Sequence, residues 1–340
     1  MQALVWNGPH QMEVEEIACP QPGPGEVLIE VKAVGICGSD VHGYTGASGR
    51  RAPGMVMGHE FAGVVRELGP DVTAPAAGTR VAVNPLIYCG TCPDCRAGHE
   101  ELCRHRKSIG VNMGTHGGFA EYVTAPAINA IPLAGNVSFA AGSMAEPLAV
   151  GLRATNVADP QRGQPIAILG GGTIGLCCLL ACRQRGADPV FVTDVAPHKL
   201  EMIGRLGGRP QDSRQTDLAA LGREATDGRG FPVIIDAVAV SATIKQALPA
   251  LAPGGTLMLV GLATPLVEVG LYDLVPQERR ITSAYAYTAA EYREAVDWLN
   301  RGTVDVAPLI EARCPLAEAP EMFARMGRGE VEAVKVVVEV

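Results

Sequence analysis

The sequence lacks what would take it to a nucleic acid or into a membrane. Lys and Arg together number 28 against 36 Asp and Glu, for a net charge of -8 and a pI near 5.4. No stretch has the basic density of a nucleic-acid surface, which excludes that class of partner. No apolar run approaches the roughly 18 residues that a membrane span needs. The run Leu176 to Cys182 is short and follows a glycine turn. No charged-then-apolar signal segment follows Met1, and there is no internal repeat or low-complexity segment. These absences read as a soluble, cytoplasmic protein. What is present suits a globular fold. Hydrophobic residues make up 47% and charged residues 19%, enough for a sizeable core, and 340 residues suggest two domains.

The ten cysteines are unevenly spread. Four fall within Cys89 to Cys103, and Cys177, Cys178 and Cys182 share one apolar segment. Without a signal segment, this distribution favours metal ligands and buried thiols over disulfides. Cys89, Cys92, Cys95 and Cys103 stand three, three and eight residues apart in a polar Gly/Pro loop. Four thiolates so spaced fit a closed tetrahedral zinc site, which would order a loop with almost no apolar anchor. His99 and His105 lie nearby but find the shell full.

A second metal-type constellation centres on Gly58-His59-Glu60, flanked by apolar residues. Burying a carboxylate beside an imidazole is costly unless something pairs with both. A divalent metal would do so, and Cys37 offers a thiolate upstream. Cys, His and carboxylate are zinc-type ligands, and a catalytic zinc keeps one position open. A His-Glu pair alone is more often a hydrogen-bonded structural feature. The stretch Cys37-Gly-Ser39-Asp40-Val-His42 adds a hydroxyl, a carboxylate and a second imidazole. Ser and Asp also cap helices, so these residues form a site only if Cys37 meets His59 in space. Glu146 stands at the start of an apolar helix, where it serves either the helix dipole or the metal.

The chain begins as a β-rich region, with strands expected at Met1 to Trp6, Glu26 to Val34, Phe61 to Leu68 and Thr79 to Val83, and another after Gly117. At Pro165 the texture changes. A short apolar strand runs into Gly170-Gly-Gly172-Thr173-Ile174-Gly175, which opens an apolar helix, and a second strand ends at Asp194. A G-x-G-x-x-G between strand and helix lets backbone approach a pyrophosphate at a helix N-terminus. Asp194 then stands where an acid takes the ribose hydroxyls. Such an acid repels a 2′-phosphate, so NAD is expected over NADP, and Lys199 just beyond is a further candidate contact. Strands at Val233 to Ala237, Thr256 to Val260 and Ile281 to Ala286 continue a doubly wound parallel sheet. A helix over Glu291 to Asn300 and a terminal strand over Val334 to Val340 follow, the latter returning to the first domain.

Together these motifs resemble the zinc-dependent medium-chain dehydrogenase/reductase family along the whole chain. Cys-Gly-Ser-Asp-Val-His at 37–42 and Glu-Pro-Leu at 146–148 are most similar to its polyol and threonine dehydrogenase branch. The resemblance implies an α/β fold, with a GroES-like β-rich catalytic domain at 1–147 and 288–340 and a Rossmann NAD-binding domain at 148–287. The structural zinc lobe would span about 86–106. It implies two zinc ions per subunit. Cys37, His59 and Glu60 would ligate the catalytic one with Glu146 contacting it, and Asp40 would orient His59. Ser39 and His42 would relay the proton by way of the cofactor ribose, and Lys335 would contact the cofactor pyrophosphate. The implied activity is NAD-dependent oxidation of a secondary alcohol of a polyol or sugar alcohol, phosphorylated or not. Threonine and 2,3-butanediol-type oxidation are the nearest alternatives. A metal-free quinone reductase is disfavoured by the intact ligand set, and a non-catalytic NAD-binding protein by the intact relay. Sorbitol dehydrogenases carry an arginine-tyrosine pair where this chain has Ala286-Tyr287, a departure that points away from sorbitol itself. A homodimer or homotetramer through the strand near Ile281 is expected by analogy. Tyr44, Met113 and Tyr287 are candidate pocket side chains. Arg50 and Arg51 form either a solvated loop or an anchor for a substrate phosphate or carboxylate.

Overall fold

The computed structural model describes every residue except Arg50 and Met113. The chain forms two compact units, Met1–Glu146 with Thr288–Val340, and Pro147–Tyr287.

The first unit is built around one long strand, Glu26–Ile36. Its Val27, Leu28 and Ile29 are all buried, and its last four residues are buried without a break, so the strand is covered on both faces. One edge pairs along its length with Glu60–Leu68, antiparallel. The other edge is shared, first by Tyr122–Pro126 and then by Lys335–Glu339. The C-terminal strand thus returns to the unit in which the chain began. The register sets Gly35 opposite Glu60 and Val336 opposite Ile36. Three strands therefore deliver Cys37, Glu60 and Lys335 to one end of the sheet. Arg80–Val83, Ala130–Pro132 and Ile310–Pro315 complete the seven strands. A smaller sheet orders Gln11–Glu16, Gln2–Gly8 and Met55–Val56. Leu4, Val34, Phe61, Phe119 and Phe323 form much of the core.

The backbone after Gly117 does not enter a strand at once. Gly117, Gly118 and Phe119 first donate to the carbonyls of Val56, Gly58 and Met57, and the strand starts at Tyr122. Gly117 can approach only because it has no Cβ; one would lie 2.4 Å from the Gly58 carbonyl oxygen.

The second unit is a six-stranded sheet, parallel throughout, in the order Arg209–Asp212, Val190–Asp194, Ile166–Leu169, Phe231–Asp236, Leu251–Leu259, Arg280–Ser283. Numbered by sequence this is 3-2-1-4-5-6, the dinucleotide-binding order. The helix Thr173–Gln184 explains the apolar cysteine segment. Leu176, Cys177, Cys178, Leu179, Ala181 and Cys182 are all fully buried, as on a core helix. The last strand ends at Ser283, earlier than the sequence suggests, and Ala286 beyond it takes a positive φ of 53°, outside extended backbone. Among the described residues no helix is long and apolar enough to cross a membrane.

Candidate metal centre and nucleotide turn

Cys37 leaves the long strand and caps the helix Gly38–Tyr44. Asp40, three residues on, folds its carboxylate back so that Oδ2 accepts the Cys37 N–H at 3.1 Å. This local loop turns Oδ1 toward the chain that precedes Glu60–Leu68. His59 Nδ1 lies 3.5 Å from it. Gly58, with φ of 96°, makes the corner that brings His59 here; a Cβ on it would meet the Phe119 ring at 2.8 Å. The ligand atoms of Cys37, His59 and Glu60 then lie within 4.8 Å of one another, with His59 and Glu60 buried.

The donor set fits a zinc: one sulfur, one imidazole nitrogen and one carboxylate oxygen. Asp40 on Nδ1 leaves Nε2 as the ligating atom. The electrostatics agree. Burial, the largest influence on His59, opposes its charging, yet Asp40 and Cys37 outweigh it and hold the imidazole well above its ordinary pKa. Burial likewise opposes ionisation of Asp40, but His59 and Arg51 hold its carboxyl below the usual value. The two buried carboxylates of the centre are each faced by a cation, Asp40 by Arg51 and Glu60 by Lys335.

Two of the expected participants stand differently. Lys335 is buried, and its ammonium donates to Glu60 Oε1 at 2.9 Å, Glu60 Oε2 at 2.7 Å and the Ile36 carbonyl at 3.1 Å. Its donors are turned to the metal centre's carboxylate, where the resemblance assigns them a pyrophosphate. Glu146 is outside the three-residue cluster. It opens the helix Ala145–Ala158, and its charge adds to burial in raising the Tyr292 hydroxyl well above its ordinary pKa.

Ser39 and His42 are both exposed, three residues apart on the same helix and so on one face. The Arg51 guanidinium is turned inward, its side chain 3% exposed, and is not held out toward a substrate anion. Arg50 and Met113 lie outside the described residues. Tyr44 belongs to the core, edge-on to His10 at 5.2 Å and packed against Phe323 at 5.9 Å. Tyr287 is 1% exposed. The sequence carried no signal for the inward turn of Arg51 or for the Glu60–Lys335 pair, because both depend on contacts distant in the chain.

The four-cysteine lobe is compact. Its four sulfurs lie within 4.8 Å of one another, with Cys89 4.0 Å from Cys95 and 3.6 Å from Cys103. A tetrahedron with zinc–sulfur bonds of about 2.3 Å has edges of about 3.8 Å. Backbone N–H groups of Thr91 and Cys92 push the Cys89 thiol down to about 5. Desolvation and the neighbouring thiols push Cys95 up to about 12. His99 is set against Glu101 at 3.4 Å.

In the second unit, Gly170 turns with φ of 97°, and Gly172 caps the helix Thr173–Gln184, placing Thr173, Ile174 and Gly175 in its first turn. Gly175 must be glycine, since a Cβ would lie 1.8 Å from the Gly170 oxygen. Asp194, at the end of its strand, accepts from Gly171 N at 2.8 Å, Val195 N at 2.8 Å and Ala196 N at 2.9 Å. Lys199 Nζ is 3.9 Å from Asp194 Oδ2. The carboxylate is therefore held beside the glycine turn, where the helix Thr173–Gln184 begins.

Residues 23–135 match the family model described as alcohol dehydrogenase GroES-like domain, and residues 173–301 that described as zinc-binding dehydrogenase. The chain is 35% identical to L-idonate 5-dehydrogenase of Vitis vinifera over 96% of its length and 91% of that protein's. It is 32% identical to sorbitol dehydrogenase of Arabidopsis thaliana over 97% and 92%. The solved structure of a zinc-binding dehydrogenase of Sinorhizobium meliloti 1021 bound to NADP superposes with a TM-score of 0.91, at 31% identity, over 100% of this chain and 99% of that one.

Proposed function

The chain belongs to the zinc-dependent medium-chain dehydrogenase/reductase family, and on that premise we propose that it oxidises a secondary alcohol of a polyol or sugar alcohol to the ketone, reversibly, with NAD. The observation that carries this reading is the convergence of Cys37, His59 and Glu60 with Asp40 on the far nitrogen of the imidazole. Cys37, His59 and Glu60 would hold the catalytic zinc, and Glu146 is a further carboxylate for it. When bound, zinc would supply the Lewis acidity that acidifies a substrate hydroxyl, and nicotinamide would take the hydride. The chain's own groups do the rest. Asp40 orients His59, and Glu60 is held in place by Lys335. Ser39 would accept the hydroxyl proton, and His42, exposed on the same helix, would hand a proton to water. The four cysteines of the lobe would hold a second, structural zinc.

The fixed carboxylate of Asp194 supports NAD over NADP, because it would meet a 2′-phosphate with like charge. One similar structure binds NADP, so this preference needs its own test. Asp194→Ser should lower the ratio of kcat/KM for NAD over NADP by about tenfold or more, roughly 1.4 kcal/mol. An unchanged ratio would remove Asp194 from cofactor choice.

A homodimer or homotetramer is part of the same proposal. The strand Arg280–Ser283 is the last of its sheet, and Leu262, Leu266, Leu271 and Tyr272, exposed by 64% or more, lie in the segment that leads to it. None of the ten cysteines is paired in a disulfide, which supports a reducing compartment such as the cytoplasm.

The decisive experiment combines zinc counting with NADH formation against polyols, sugar-alcohol phosphates, threonine and diols. Two zinc ions per chain and turnover with one of these groups is the expected result. A protein that carries at most one zinc and turns over none of them would overturn the reading. Cys37→Ser should abolish turnover while leaving NAD binding intact.

A further inference from the structure

Arg51 is a buried cation in a segment that the proposed chemistry leaves unused. Its side chain is 3% exposed and that of Asp40 0%. Nη1 donates to the Val111 carbonyl at 2.5 Å, Nε points at Met57 Sδ at 3.0 Å, and Nη2 lies 3.5 Å from the Ser39 carbonyl. Nη2 is also 3.8 Å from Asp40 Oδ1, the oxygen that faces His59 Nδ1. One guanidinium therefore touches the helix that carries Ser39 and Asp40, the segment that leads into His59, and the loop at Val111.

The neighbouring helix is shaped for it. Gly43 packs against the arginine, and a Cβ there would lie 2.7 Å from Arg51 Nε and 2.9 Å from Met57 Sδ. The carboxylate it faces has one oxygen tied to the Cys37 N–H. Among the described residues the other faces only Arg51 and His59, at distances longer than an ordinary hydrogen bond. Asp40 is thus held on one side by its own helix and on the other by the arginine.

We propose that Arg51 is a positioning residue: it fixes Asp40, and through it the ring of His59, in the orientation that the catalytic metal requires. The inference rests on the reading that Cys37, His59 and Glu60 hold zinc. A partner that orients a ligating histidine is worth about 10–100-fold in metal affinity, and Arg51 acts one contact further out.

The test is zinc release from the intact protein to a chromogenic chelator, with the four-cysteine zinc as internal reference. Arg51→Met keeps the stem and removes the donors. It should lose one zinc about 10-fold faster than the unmodified protein while the second zinc leaves at its usual rate. Arg51→Lys, which keeps the charge, should recover part of the difference. Cobalt placed at the catalytic site should show a shifted visible spectrum in Arg51→Met. Should that variant fail to fold, Gly43→Ala displaces the arginine without removing its charge, and the same release and spectrum are expected. Unchanged release and an unchanged cobalt spectrum in a folded variant would overturn the proposal alone. An unmodified protein that binds only the four-cysteine zinc would overturn the underlying reading, and the proposal with it.

Discussion

Glu60 owes its position to a missing side chain. Gly35 lies opposite it across the ladder, and a Cβ there would fall 2.1 Å from Glu60 Oε2. The space is filled instead by the carboxylate and by Lys335 Nζ, both almost wholly buried. A buried pair of this kind adds little net stability, but breaking it is costly because the surviving charge has nowhere to go. In the zinc-free protein Lys335→Met should therefore destabilise the fold by about 3–5 kcal/mol in urea unfolding, and an effect below about 1 kcal/mol would mean that Glu60 is solvated or protonated without its partner. Gly35→Ala is a sharper probe of function. It leaves both charges present and displaces the carboxylate, so catalytic zinc and turnover should fall together while the four-cysteine zinc stays.

At the scale of elements, two short features depend on side chains for their shape. The four-cysteine lobe has a helix of four residues, a 3₁₀ turn of three and two-residue strands at Leu86–Ile87 and Lys107–Ser108. Elements that short do not hold themselves together in water. Cys103→Ala should expose residues 86–106 to limited proteolysis and leave the rest of the chain resistant; equal resistance would mean that the lobe folds without its metal. The turn after Phe231–Asp236 rests on Asp236, which accepts from Val238 N and Ala239 N and from the Thr243 hydroxyl. Burial raises its pKa above 3.8 despite these donors. The native state then takes up a proton at a pH where the unfolded chain does not. As pH falls from neutral through that raised pKa, Asp236 contributes progressively more favourably to stability. Against Asp236→Asn, whose amide keeps one acceptor but does not titrate, the unmodified protein should gain relative stability on acidification. Denaturation midpoints for both proteins at neutral and mildly acidic pH check the sign, and a constant difference would refute it.

At the scale of the whole molecule, the sheet of the second unit ends in a strand whose outer edge has no partner among the described residues. Edges of this kind are usually shielded or paired. Here the neighbouring segment is apolar, with Leu266 83% and Tyr272 94% exposed. Their exposure means that charging them costs the monomer nothing in packing. Leu266→Asp with Tyr272→Asp should reduce the mass in solution toward 35.5 kDa, as read by sedimentation, with the spectrum of a folded protein retained. A parent protein that already sediments as a monomer would refute assembly.

The sequence by itself determined what is local. The strand–glycine turn–helix around Gly170, the acid at Asp194 and the four-cysteine spacing are each set within a few tens of residues. Their physics is backbone conformation and ligand reach, which short stretches encode. Cys37 and His59 are close enough in sequence for their motif to suggest a meeting. Only the tertiary structure decided the partners of the site. Lys335 meets Glu60 across 275 residues, because the terminal strand takes the edge of the long central one. Arg51 turns inward because Gly43 and Met57 make room and the Val111 carbonyl waits 60 residues away. Tyr44, polar enough to suggest a pocket, is consumed by the core. Such outcomes depend on which surfaces the fold brings together and on the cost of leaving a buried charge unpaired, and neither is legible in a stretch of sequence.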